Sequence, residues 1–146
     1  MDENLKKIIE KKRDAKWIDA WMAFEVLAIK EEVSDQSLKN HISNLGKARD
    51  VVVYEKKFLE AKKVENPIKN VKEAYSEVAE VKLLTKDIFS LISLVVSMGP
   101  SSVEILGPDK KEMKLDEIQS IANELSGLVH RFASAGIGGL VVAPKN

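Results

Sequence analysis

Two histidines, His41 and His130, and three glutamates, Glu73, Glu77 and Glu80, are the side chains best suited to chemistry in this chain. On a helix the glutamates would share one face, the arrangement that carboxylate-bridged di-iron bundles use. Those sites also need a His three residues after a Glu, and no Glu-x-x-His occurs here. The glutamates are therefore expected to form a solvated face. His130 lies in "LVHRFA", between the apolar Leu128 and Phe132, and the sequence places no carboxylate that would make it a proton-transfer group. His41 reads as a register-setting or exposed position. With no cysteine in the chain, disulfides, thiolate zinc sites and thiol catalysis are excluded.

"AGIGGLVV" (135–142) has the glycines of a phosphate loop. It follows a helical pattern and precedes a strand-like one, the reverse of the order a phosphate cradle needs. A small-ligand or enzyme site, the third functional class considered, would be expected at the Gly136–Gly139 turn. The sequence has no nucleophile elbow and no metal-ligand cluster, so it points away from an enzyme and calls for no cofactor and no metal.

Charge is more informative than any motif. Residues 39–63 carry seven Lys or Arg against three Asp or Glu, and "YEKKFLEAKK" interleaves Tyr54 and Phe58 with Lys56, Lys57, Lys62 and Lys63. These four lysines form a candidate anion-binding face, suited to nucleic acid or an anionic membrane surface. Over the whole chain 23 basic residues balance 23 acidic ones, which argues against a dedicated nucleic-acid binder. A 45% hydrophobic, 32% charged composition excludes a disordered chain. Abundant Lys and Glu, two Gln and no Cys give a thermophile-like balance. The apolar run from Ile88 to Gly99 is about half of the ~20 residues a membrane span requires. "MDENLKKIIEKKRDAK" has no signal core, so a mature cytoplasmic protein is expected.

Apolar spacing gives the elements that would carry these residues. Trp17, Trp21, Phe24 and Ala28 recur at four, three and four, predicting a first helix over residues 3–33 with a wide aromatic face. Leu38, Leu45, Val52 and Leu59 lie seven apart in a second helix over Asp35–Glu65, with Ser34 or Asp35 as its cap and Gly46 as a bend or break. Asn66–Pro67 reads as the start of a third. There Val71, Ala74, Val78, Val81, Thr85, Ile88, Ile92 and Val95 step by three and four, until Gly99–Pro100 ends it. Ser102–Leu106 and Lys111–Leu115 alternate like the arms of a β-hairpin. Asp116 and Gln119 match a capping box opening a helix with Ile118, Ile121, Leu125, Leu128 and Phe132 on one face, and Gly139–Ala143 reads as a last strand.

The expected fold is α+β and predominantly α: three long antiparallel coiled-coil-like helices over residues 1–98, followed by a small ββαβ cap over 101–146. The expected function is that of a non-enzymatic structural or adaptor protein acting through homo-oligomerisation, with a dimer as default, and through a protein partner. Its interface residues would be Trp17, Trp21, Phe24, Val78, Val81, Ile88, Ile92 and Val95, with Val103, Ile105, Leu140 and Val142 making the sheet contact.

Overall fold

Ile18, Ala20, Met22, Phe24 and Val26 alternate with Asp19, Trp21, Ala23, Glu25 and Leu27, and this period of two, not the three-and-four spacing, decides the local structure. In the computed structural model, which describes residues 2–136, this stretch is strand β1 (Ile18–Ala28). The elements run α1 (Glu3–Asp14), β1, α2 (Glu31–Leu45), β2 (Val51–Phe58), β3 (Lys62–Ile68), β4 (Val71–Thr85), α3 (Ile88–Met98), β5 (Ser102–Gly107) and α4 (Leu115–Ser134). They form two compact units, one ending at Lys111 and the other beginning at Glu112.

The long-helix body and the ββαβ cap are thereby corrected, and with them the coiled-coil and helical-bundle reading. Among the described residues five strands make one antiparallel sheet, in the order β2–β4–β1–β5, with β3 also paired to β4. The first predicted helix is α1 plus β1, and the second is α2 plus two strands. The third is a hairpin strand followed by a helix of 11 residues. β5 does not fold back on Lys111–Leu115; it pairs with β1. The predicted last strand, Gly139–Ala143, lies outside the described residues.

β1 and β2 both run antiparallel to β4, so they are parallel to each other with β4 between them, joined through α2. β4 and β5 are related in the same way across β1, joined through α3. Two interleaved β-α-β crossovers on one antiparallel sheet constitute the split βαβ, ferredoxin-like arrangement. β2 and β3 act as one interrupted strand: β2 pairs with the second half of β4 and β3 with the first, and Leu59 N–H bridges them to Val78 O at 3.0 Å.

α2 and α3 cover one face of the sheet. Ala20, Met22 and Phe24 of β1 and Ala79, Val81 and Leu83 of β4 meet Leu38, Ile42 and Leu45 of α2 and Leu91 and Leu94 of α3. His41 ties the two helices together: its Nε2 stands 2.8 Å from Met98 O at the end of α3, and its ring meets Phe24 edge-on at 5.3 Å. Gly46 and Gly99 end their helices as their sequence positions suggested, Gly99 in the left-handed region at φ 62°. Ser34 and Asp35 lie inside α2, which starts at Glu31. Asp116 and Gln119 make no capping box, because α4 begins at Leu115 with no side-chain cap.

α1 lies on the opposite face. Its Arg13 Nε donates to Asp19 Oδ2 at 3.0 Å, and Tyr54 O–H donates to Asp19 Oδ1 at 2.6 Å. Asp19 is odd-numbered in β1 and so points away from the α2–α3 layer. Ile9 is the buried residue of α1.

Candidate docking edge

A sheet of this kind has two outer edges, each presenting unpaired backbone N–H and C=O groups. Among the described residues, the edge on one side is β2 and β3, and on the other it is β5 alone.

β5 is delivered to its place by the end of α3. Gly99 turns the chain, Pro100 prevents further helix, and Ser101 N–H donates to Ala23 O at 2.8 Å. Val103 then stands opposite Met22, and Ile105 opposite Ala20. This register puts both on the core face, in rows that run outward from fully buried neighbours. Burial does not follow them: Met22 and Ala20 are 0% exposed, whereas Val103 is 39% and Ile105 is 51% exposed. Leu106 is 46% exposed. The apolar layer thus extends one strand farther than the helices that cover it. Glu104 is the one charged residue of β5.

The β2–β3 edge is built in the opposite way. Lys56, Lys57, Lys62 and Lys63 all lie on it and are all exposed. Lys63 Nζ pairs with Glu73 at 2.8 Å, and on β4 Lys82 pairs with Glu55 of β2 at 3.2 Å. The pairing with β4 shifts register between Val53 and Glu55 and again between Glu65 and Ile68. Pro67 sits in the second irregularity, and Asn66 before it has φ 50°. Lysines, bulges and an edge proline are the devices by which natural sheets prevent a further strand from adding.

The remaining interface candidates are dispersed. Phe24 and Val81 fill the core, and Ile88 and Val95 pack against it from α3. Ile92 and Val78 are half-buried on α3 and β4, and Trp21 is half-buried between Lys82 and Glu104 on its neighbouring strands. Trp17 precedes β1, with Lys12 Nζ 4.2 Å above its ring. Leu140 and Val142 lie outside the described residues, as do three residues of the Gly136–Gly139 turn. The sequence marks β5 by the alternation of Ser102–Leu106 between Gly99–Pro100 and Gly107–Pro108. What it misses is the partner of β5, because β1 lies far earlier in the chain and carries a spacing that reads as helix.

The Arg13–Asp19–Tyr54 cluster is the other concentration of polar groups. Asp19 is 9% exposed and satisfied on both oxygens. Burial, then the hydrogen bond and charge of Asp19, push the Tyr54 phenol up to about 12. Arg13 is held above its ordinary value: burial lowers it, and the hydrogen bond and charge of Asp19 more than offset that. A cleft of about 380 Å³ adjoins the cluster, lined by Lys6, Ile9, Glu10, Arg13 and Tyr54. A phenol that stays protonated and an arginine locked to a carboxylate exchange no protons near neutral pH. The cluster is a clamp that holds α1 to the sheet.

Among the described residues no helix is long and apolar enough to cross a membrane. The model of one protein family, described as the MJ0538 family, matches residues 19–145. The match covers the sheet, α2, α3 and α4, and leaves α1 outside. No curated protein and no solved structure matches the chain.

Proposed function

We propose that this chain, which belongs to the MJ0538 family, is a non-enzymatic adaptor whose β5 edge accepts an extended strand of a protein partner. The observation that carries the reading is the exposure of Val103, Ile105 and Leu106 on an edge strand that has no lysine, no proline and one charge. In strand addition the backbone supplies affinity and the alternate side chains supply specificity. An added strand would continue the hydrogen-bonded ladder past β5 and lay its own alternate residues beside Val103 and Ile105. Covering those two half-exposed side chains contributes on the order of 1 kcal/mol each.

The test is selection of short random peptides against the immobilised full chain, repeated with Val103→Lys and Ile105→Lys. The reading expects selected peptides with alternating apolar residues that slow backbone hydrogen exchange across Ser102–Gly107. Both variants should lose them while keeping the wild-type melting temperature. Peptides that bind the lysine variants equally well, or leave exchange in β5 unchanged, would overturn it.

A further inference from the structure

α4 has 20 residues and buries none of them. Ile118, Ala122, Leu125, Val129 and Phe132 are all exposed, and they follow one another at four, three, four and three. That is the a/d seam of a coiled coil carried through about two heptads, on a helix of roughly 30 Å. A shallow groove of about 570 Å³ runs along it, where Ala122, Ser126 and Ala133 alternate with Leu125 and Val129. Small residues set between large ones are what an interdigitating partner helix needs.

We infer that this seam is closed by α4 of a second copy of the chain, running antiparallel. Three features of the helix fit that occupant. Leu125 lies at the middle of α4, with Ile118 seven residues before it and Phe132 seven after, so a two-fold axis at Leu125 sets Ile118 against the partner's Phe132. The same axis leaves the small Ala122 of one copy and the larger Val129 of the other one residue out of register, at three and four residues from Leu125, so small and large residues lie side by side along the seam. The acidic residues Asp116 and Glu117 fall in the first turn and Arg131 in the last. Antiparallel pairing therefore sets opposite charges and opposite helix-dipole ends together, whereas parallel pairing stacks like on like. The seam is short, and short helices gain little stability on their own, so the dimer is weak and reversible.

The natural absence of cysteine makes the geometry directly readable. In the full chain, Leu125→Cys should cross-link to itself on mild oxidation. Ile118→Cys alone should not, and Ile118→Cys combined with Phe132→Cys should. Sedimentation of the unmodified chain should show a monomer–dimer equilibrium that Leu125→Glu shifts at least tenfold toward monomer, with circular dichroism unchanged. That variant should also retain the peptides bound at β5, which separates the two surfaces. Self-cross-linking through Ile118→Cys would overturn the antiparallel arrangement. A monomer at every concentration would overturn the second copy as occupant. So would a dimer that appears only after deletion of residues 137–146, since the chain's own C-terminal segment would then be covering the seam.

Discussion

The β2–β3 edge and the β5 edge close the same sheet, yet one carries four lysines, a proline and two register breaks, and the other carries exposed Val103, Ile105 and Leu106. Both edges face the same hazard, since an unpaired strand will template another. Guarding one and leaving the other open shows that openness at β5 is not a general property of this sheet. It is local to the strand that α3 delivers. The guarded edge also gives the lysine cluster, which in sequence suggests a polyanion-binding face, a place on an edge strand, with at least one member engaged by a neighbouring carboxylate.

The comparison is broken most severely by removing what the edges share. Met22 lies between Val81 and Val103 and is fully buried. Met22→Ala should cost about 2–5 kcal/mol, read as a lower denaturant midpoint. Because Met22 underlies β5, peptide binding there should fall in parallel. A variant with wild-type stability would show that the row through Met22 does not hold the open edge.

A smaller effect is expected at the clamp, which sits at the end of β1 nearest Gly107. Asp19→Ala should cost about 1 kcal/mol, because it leaves a half-buried phenol and a half-exposed guanidinium without their acceptor. The same group sets a pH dependence. The folded Tyr54 phenol, at about 12, lies above the ordinary tyrosine value near 10. The stability this contributes is present in full below the ordinary value and is lost as pH rises from there through about 12. Denaturant unfolding should therefore fall more steeply with pH in the wild type than in Tyr54→Phe over that window. Equal slopes would mean that the clamp leaves the phenol unperturbed.

The smallest change in stability, and the sharpest test of guarding, comes from replacing Lys56, Lys57, Lys62 and Lys63 together by Thr. Exposed substitutions of this kind usually lie within about 0.5 kcal/mol each. Light scattering should nevertheless show concentration-dependent association through the stripped edge. If the variant stays as dispersed as the wild type, the bulges and Pro67 suffice and the lysines are free for another use. Salt-dependent binding of generic RNA by the wild type alone would then identify it.

Punctuation was the most legible part of this fold. Gly46, Gly99–Pro100 and Gly107–Pro108 mark real ends: those of α2, of α3 and of β5, while the start of α3 at Ile88 is marked by none of them. Asp87, which sequence alone does not single out as a cap, caps α3 by accepting from Ser90 N–H at 2.8 Å. Periodicity misled where both faces of a strand are covered. In β4, Leu84 is buried on the α1 side while Leu83 is buried on the other, so strict alternation disappears and a three-and-four spacing can be drawn through Val78, Val81 and Thr85. That track ran on into α3 because Ile88, Ile92 and Val95 happen to continue it. β-branched and aromatic residues in "VKEAYSEVAEVKLLT" were the available signal for a strand. Asn66–Pro67 reads in sequence as a helix start, and only the pairing with β4 shows it to be an irregularity in an edge strand. Val103 and Ile105 were placed on a strand correctly; their exposure depends on where α2 and α3 stop, which no local pattern encodes.

β1 is an early strand whose ladder is completed last. Its neighbours are β4, joined from Ile18–Thr85 to Ala28–Tyr75, and β5, joined through Met22–Val103. As the chain leaves a ribosome, Met22 and Phe24 have α2 to collapse against but no strand on either side until β4 has been made. Closing such distant pairs is entropically slow compared with forming local helices. The protein must therefore spend part of its synthesis with its most apolar strand unpaired, and that interval, rather than the finished fold, is when its apolar surface is most open to association.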